Sequence, residues 1–465
     1  MTTPPIPLPD IDQPSVPMLT DWSHTIQIRP RLYYRPRSVD ELKRCLTDLL
    51  AGRPWKPDSI RIPGSLHSTC DIVVSDALID IYDLPHTLEF DPDFSAVTAS
   101  ANWRLHDFLI ELSRCTPRGK SLVATGGTDE QTLAGLISTN TAPPTDRVTL
   151  FDTLEWVEFV TVGPDGTSVV ERRVTRAEPD FRAVVCSLGA IGIITKVRFG
   201  LIDEPYYRVV QKIVGIETVL GDLARTAKTY DFWRINWIPD SNKGLLWMAT
   251  LLPGKGNPLG NYPGDKSEKA IRFVMSLVQK LAHPGPVLDW IEDILLKILA
   301  PTFGTQVNEG PLRNMIPVDR FSPLTVALSE WGFDPADTQR VLETCRDYYA
   351  KAGWPNLPIE IQLTKTDDHY MSPWNWPGLD RVIKFDFQYL TEDLDAAGIA
   401  GISTHLEGLW RELQRRNIPF KAHWGKINFL DYAQTRKIHQ LDQFAPSVRP
   451  VFLNDYLRTR LLPPK

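Results

Sequence analysis

A chain of 465 residues is longer than one hydrophobic core usually organises, so two or three packed domains are expected. Hydrophobic residues make up 42% and charged residues 23%, an ordinary globular balance that excludes general disorder. The net charge of -6, with mixed signs and no long Lys/Arg run, excludes the basic field that a nucleic-acid partner requires.

Residues 1–20, "MTTPPIPLPDIDQPSVPMLT", are rich in proline and lack a basic start or continuous apolar core, so they read as a flexible arm rather than a signal peptide. In "YYRPRSVDELKRCLTDLLAG" an aromatic strand leads to Ser38 and Glu41 at capping-box spacing. Leu42, Cys45, Leu46, Leu49 and Leu50 follow at helical intervals, and Gly52 stops the helix. "SIRIPGSL" and "DALIDIYDL" read as strands, which makes a βαββ opening. "RLHDFLIELSRC" has helical spacing, "TGGTDEQTLAGLIST" turns into a short apolar helix, and "LEWVEFVTVGPDGTSVVE" reads as a hairpin around Pro164, Asp165 and Gly166. "FRAVVCSLGAIGIITKVRFGLI" closes this α+β region as helix, glycine turn and strand, at about residue 205.

From residue 206 the texture changes. Strand runs "LLWMATLL", "IEIQLT" and "RVIKFDFQYL" are separated by helical "DTQRVLETCRDYYAKAG" and "ISTHLEGLWRELQRRN", which predicts a sheet covered by helices. An insertion over about 253–310 carries two amphipathic segments, "EKAIRFVMSLVQKLAH" and "PVLDWIEDILLKILAP". Their apolar faces suit packing on the sheet, the commoner outcome, or lying on a membrane surface.

Several motifs fail. In "GKGNPLG" the third glycine comes one residue late for a dinucleotide fingerprint, and in "GNYPGDKS" Asp265 stands where phosphate would sit in a P-loop. The five cysteines are odd in number, scattered and never in a CxxC pair, so no disulfide framework or metal site is expected and a reducing, cytoplasmic setting is. No apolar run reaches the length of a membrane span, so membrane contact is not expected.

What survives is a trio of glycine- and hydroxyl-bearing stretches, "PGSLHS" (63–68), "TGGTDEQTLAGLIST" (125–139) and "SLGAIGIIT" (187–195), each offering the closely spaced backbone donors that a pyrophosphate needs. Their order resembles the PCMH-type FAD-binding domain of the vanillyl-alcohol oxidase superfamily, in particular its sugar-1,4-lactone and alditol oxidase branch. "AHWGKINF" (422–429) and "FLNDYLRTRLL" (452–462) are similar to the terminal signature of the aldonolactone oxidases. The resemblance implies a two-domain α+β flavoprotein: an FAD-binding domain over 21–205 and a substrate domain over 206–465, whose segment 420–465 returns to the flavin.

Carried over, His67 is the expected covalent attachment point of FAD, with a non-covalent flavin beside His67 as the other possibility. Gly64, Ser65, Leu66 and Ser68 would contact the pyrophosphate; Gly126, Gly127, Thr128, Thr132, Gly135 and Ser138 would line the flavin and ribityl chain; Gly189, Gly192 and Ile194 would sit near the adenosine. Lys426 would stabilise negative charge on the reduced ring and position substrate oxygen. His423 is open between an acid/base and a structural role. Glu360 matches a family acid, but Gln362 stands where that branch carries an arginine, and Asp386 where alditol oxidases carry a histidine. "STNTAPPTD" replaces a "GTHG" stretch, which puts Thr141 near the position that controls oxygen access, and Tyr370, Trp374 and Trp376 could wall a more apolar pocket. The expected activity is oxidation of an alcohol or lactone hydroxyl by hydride transfer to flavin N5 with O2 as acceptor, on a substrate other than a simple sugar lactone. A dehydrogenase using another acceptor and a flavin-binding scaffold are the alternatives.

Overall fold

In the computed structural model of the chain, the described residues are 16–115, 119–238, 240–254, 305–317, 325–392 and 394–464. The two amphipathic segments of the insertion lie outside them, as do residues 1–15 of the arm.

The opening unit folds as its pattern predicts. Strand β1 (Leu32–Tyr34), helix α1 (Val39–Leu50), β2 (Ile60–Arg61) and β3 (Ala77–Ile79) form a parallel three-stranded sheet in the order β1-β3-β2. Helix α1 buries Leu42, Cys45, Leu46 and Leu49 on one face, and Gly52 stops it with φ +72°. The Ser38 side chain accepts from Glu41 N–H at 3.1 Å, but Glu41 reaches back to Arg37 N–H rather than to Ser38, so the expected reciprocal capping box is only half formed.

A second sheet of five strands follows: β4 (Leu88–Phe90), β5 (Ala96–Ser100), β6 (Leu154–Val162), β7 (Val169–Thr175) and β8 (Ile193–Gly200), in the order β7-β6-β8-β5-β4. The β6–β7 pair is the predicted hairpin, with Gly166 at φ +73° in its turn. Helices α2 (Leu105–Arg114) and α3 (Leu133–Thr139) lie between β5 and β6 in the chain.

The remaining strands build one eight-stranded sheet: β9 (Tyr206–Gly215), β10 (Phe232–Trp237), β11 (Lys243–Leu251), β12 (Gln306–Pro311), β13 (Val326–Phe333), β14 (Ile359–Lys365), β15 (Arg381–Leu390) and β16 (Lys421–Ala422). Their order is β12-β9-β11-β10-β14-β15-β13-β16. One face is apolar, with Trp237, Ile361, Phe385, Trp331 and Phe333, and is covered by α4 (Thr338–Ala352) and α5 (Ala396–Arg415); Trp331 meets Trp410 at 5.4 Å between ring centroids. Residues two apart on a strand share a face. The alternate positions are Arg234, Asn236, Glu360, Gln362, Lys384, Asp386 and Glu330, polar residues of which Arg234, Gln362, Lys384 and Glu330 are nonetheless buried. A sheet with an ordinary solvent-facing side would expose such residues, so this side is enclosed for another reason.

Enclosure comes from the chain's last third. Thr69 N–H donates to Gly425 O at 2.9 Å, His423 N–H to Glu330 O at 2.8 Å, and Asn454 Nδ2 to the carbonyls of Asp71 and Val74 at 2.8 Å each, which brings residues 420–460 against the loop that follows β2.

Candidate active site

A cleft of about 950 Å³, open to solvent, is lined by four separate segments, 61–73, 131–139, 188–194 and 423–426. Of the residues expected to hold a cofactor, it gathers Gly64, Ser65, Leu66, His67, Ser68, Thr132, Gly135, Ser138, Gly189, Gly192 and Ile194, and adds His423 and Lys426. Gly126, Gly127 and Thr128 are not on its lining. Gly126 instead makes room for Thr141, whose Cγ2 would lie 2.6 Å from a Cβ placed there, while Thr141 Oγ1 donates to Gln131 Oε1 at 2.8 Å.

The local chemistry holds these turns open. Leu66 takes φ +56°, and its carbonyl accepts from Trp22 N–H at 2.9 Å. Thr132 caps α3 by accepting from Gly135 N–H at 3.1 Å, and its Oγ1 would lie 2.8 Å from a Cβ on Gly64, so only glycine lets these two segments meet undisturbed. Arg61 is buried and spends its donors on the carbonyls of Ile72, Leu188, Gly189 and Phe452, which pins two of the cleft's borders and the C-terminal segment to one guanidinium.

The cleft's electrostatics are one-sided. Arg61 and Lys426 are the cations on its lining, His67 and His423 join them, and no Asp or Glu among the described residues lines it. Ser65 Oγ is buried there without a hydrogen-bond partner among the described residues. Small residues at the closest approaches, an orphaned hydroxyl donor and a lining that carries Lys426 and Arg61 but no described acid fit a dinucleotide with a pyrophosphate. Glycine backbone and hydroxyls from 64–68 and 132–138 would hold FAD.

His67 stacks on Trp22, with centroids 5.5 Å apart and planes at 28°. Burial, reinforced by the charges of Lys426 and Arg104, pushes its imidazole down to about 4, so the ring is neutral at physiological pH. His423 is also held down to about 4 by burial, against the opposing pull of Glu330. Its Nδ1 accepts from Gly425 N–H at 3.2 Å, which leaves the ring proton on Nε2.

The enclosed polar face of the large sheet adjoins this cleft at His423 and Lys426. Strand register sets Asn236, Glu360, Asp386 and Glu330 in one row across β10, β14, β15 and β13, and Gln362, Lys384 and Gly332 in the next. Gln362 Nε2 donates to Glu360 Oε1 at 3.0 Å, and Lys384 Nζ pairs with Glu330 Oε1 at 2.8 Å while lying 5.0 Å from the Trp374 ring centroid. Burial, with Glu330 and Glu360 alongside, raises the Asp386 carboxyl far above its ordinary value, so it stays protonated. Burial opposes ionisation of Glu330 too, but Lys384 and His423 outweigh it and hold that carboxyl down.

Trp374 is fully buried, stacked 6.1 Å from His423 and packed on Gly332, so it covers part of the polar face itself, beside Lys384. Tyr370 lies elsewhere. It lines a second, polar cavity of about 1230 Å³ with Arg182, Lys365 and His369. Residues that the sequence did not single out, Arg234, Glu330 and Lys384, stand beside Glu360 and Asp386. The signal was there in "WRINW", "LSEWGF" and "VIKFDF", where charges alternate with large apolar residues in strands that leave no side to solvent.

Residues 197–390 match the family described as D-arabinono-1,4-lactone oxidase. The chain is 28% identical over 235 residues to D-arabinono-1,4-lactone oxidase of Kluyveromyces lactis, covering 50% of this chain and 43% of that relative, so the match spans less than half of the relative's length. It is 24% identical over 457 residues to L-gulonolactone oxidase of Scyliorhinus torazame, covering 94% of this chain and 96% of that one. Among solved structures, cholesterol oxidase from Brevibacterium sterolicum superposes with a TM-score of 0.77 at 14% identity, over 98% of this chain and all of the other, and a solvent-stable cholesterol oxidase with 0.68 at 17%, over 88% and 86%. At these identities the likeness to the solved structures is one of fold.

Proposed function

We propose, from the chain's membership of the sugar-1,4-lactone and alditol oxidase branch of the vanillyl-alcohol oxidase superfamily, that it oxidises a hydroxyl group of a small alcohol or lactone with FAD as cofactor and O2 as acceptor. The carrying observation is the junction of an acid-free dinucleotide cleft with a buried, charged sheet face at His423 and Lys426. FAD, when bound, supplies a two-electron oxidant that takes the hydrogen leaving the substrate carbon.

The chain's own residues do the rest. Lys426, on the cleft wall, offers a cation where oxidation leaves negative charge. Glu360, oriented by the Gln362 amide, is the carboxyl placed to accept the hydroxyl proton, since Asp386 already carries one and His423 Nδ1 is engaged by Gly425. We infer that His67, neutral and stacked on Trp22, would hold FAD covalently through a ring nitrogen on a flavin methyl carbon, a link that costs a methyl C–H bond, releases its proton and leaves two electrons on the flavin for O2 to remove.

The substrate class is a polyhydroxylated lactone or related polyol. The matched curated relatives are named for lactone oxidation and give no support to an expectation of a substrate outside the sugar lactones. The site's polar lining favours the same class. Purified protein should be yellow, and D-arabinono-1,4-lactone, L-gulono-1,4-lactone or an alditol should bleach it anaerobically, with hydrogen peroxide formed when air is readmitted. A yellow protein that none of these reduces would sink the proposal, and bleaching without peroxide would assign another acceptor.

A further inference from the structure

Arg234 lies in the middle of the enclosed face with its side chain 2% exposed. Nη2 donates to Ile316 O at 2.9 Å and the guanidinium lies 4.5 Å from the Trp247 ring centroid, so the group is fixed from two directions. Nη1 has no hydrogen-bond partner among the described residues. It stands 3.8 Å from Glu360 Oε2, in charge contact and beyond hydrogen-bonding reach. The β10–β14 register pairs Ile235 with Ile361 and Asn236 with Glu360, so it continues to Arg234 opposite Gln362. Gln362 Oε1 is also buried and unpartnered, and so is Asp386 Oδ1 on the next strand. A guanidinium N–H, an amide oxygen and a carboxyl oxygen, on three neighbouring strands of one face, are thus left without partners. Buried polar groups are ordinarily satisfied, and such a cluster, on the face that meets the cleft at His423 and Lys426, points to a ligand that completes it.

We propose that Arg234 is a substrate-binding residue. Its free Nη1–H donates to a substrate oxygen while Gln362 Oε1 accepts from a neighbouring substrate hydroxyl, so the site selects a carbonyl or hydroxyl oxygen adjacent to a second hydroxyl. Gln362 is too weak a donor to hold an oxygen that gains negative charge, and the guanidinium beside it on β10 does that work from across the strand pair. This rests on the lactone and polyol reading above and assigns its recognition element.

The test compares wild type, Arg234→Lys and the double variant Arg234→Lys/Gln362→Arg. D-arabinono-1,4-lactone is titrated against the bound flavin's absorbance, and γ-butyrolactone, which lacks hydroxyls, is the control. Arg234→Lys keeps the charge and loses the fork, so lactone binding and KM should weaken roughly 10- to 100-fold, the cost of one charge-assisted hydrogen bond. γ-Butyrolactone binding should change far less. The double variant, with its guanidinium moved to the facing position, should recover most of the loss. Unchanged lactone binding in Arg234→Lys beside a wild type that binds overturns this proposal alone. Loss of flavin or of thermal stability that the double variant does not reverse assigns Arg234 to packing and overturns it too. A flavin-loaded wild type that binds no lactone or polyol overturns the functional reading itself.

Discussion

Glu360 on β14 and Asp386 on β15 are directly registered partners, two carboxyl groups set side by side on a buried face, with Glu330 next in the row. They coexist because Asp386 keeps its proton. Burial and its two acidic neighbours raise its pKa well above 3.8, while Lys384 and Lys426 only partly offset them. Between 3.8 and the raised native value the folded state binds the proton and the unfolded state does not, so this group's contribution to stability is present at low pH and is lost as pH rises. Asp386→Asn removes that dependence. Its Tm should exceed wild type by a few degrees near pH 8 and match it near pH 4, read by thermal melts across that range. Glu330 has the opposite sign, contributing above 4.5 and losing it on acidification, and it is present in both proteins.

Lys426 acts on the same row from the cleft side, where its charge reaches His67, His423, Glu330 and Asp386. Lys426→Met should leave flavin content intact and lower kcat by about 100- to 1000-fold, the usual consequence of removing a cation aimed at developing negative charge. Stopped-flow flavin reduction separates this from a binding defect. A rate of reduction equal to wild type would remove Lys426 from the chemistry.

Much of the first domain was legible because its signals are local. Helix α1, with its Ser38 cap, the β6–β7 hairpin and the glycine loops at 64 and 189–192 each declare themselves within about a dozen residues. The substrate face was legible only at Glu360, Gln362 and Asp386, and there through resemblance. Arg234 joins Glu360 by sheet register, and Glu330 joins Lys384 across two strands whose order, β15-β13, departs from chain order. No periodicity within one segment reports such pairings. Tyr370 shows the converse: close in sequence to Trp374, it opens onto a different cavity because the chain turns between them.

The glycines of the cleft are not equivalent. A Cβ on Gly192 would lie 2.7 Å from Val160 O, a backbone atom of a central strand that cannot swing aside, whereas one on Gly64 meets the Thr132 side chain at 2.8 Å. Gly192→Ala should therefore lower both Tm and FAD content. Gly64→Ala should weaken FAD retention with a smaller effect on folding, and Thr132→Ser in that background should relieve little, because the clashing hydroxyl remains. Flavin-to-protein absorbance ratios after gel filtration measure each outcome; a fully loaded Gly192→Ala would show that the 188–194 turn does not border the cofactor.

His67 joins the cleft to the segment that follows the N-terminal arm. The strand pair 19–20 and 27–28 places Trp22 over the imidazole, and Trp22 N–H fixes the left-handed Leu66 that precedes it. Burial and the nearby cations depress the ring's pKa from 6.5 to about 4, so a nucleophilic nitrogen is present at any pH above about 5. The shift also has a stability cost of definite sign. Below 6.5 the unfolded chain takes up a proton that the folded one refuses, so this contribution is full above 6.5 and is lost as pH falls towards 4. His67→Ala should show a shallower loss of Tm over that interval, reduced and not abolished because His423 carries the same shift. The same variant tests attachment. Acid precipitation of wild type should leave a yellow pellet, and of His67→Ala a colourless pellet under a yellow supernatant. A colourless wild-type pellet would show the flavin to be held without a bond, and a yellow variant pellet would place the bond on another residue.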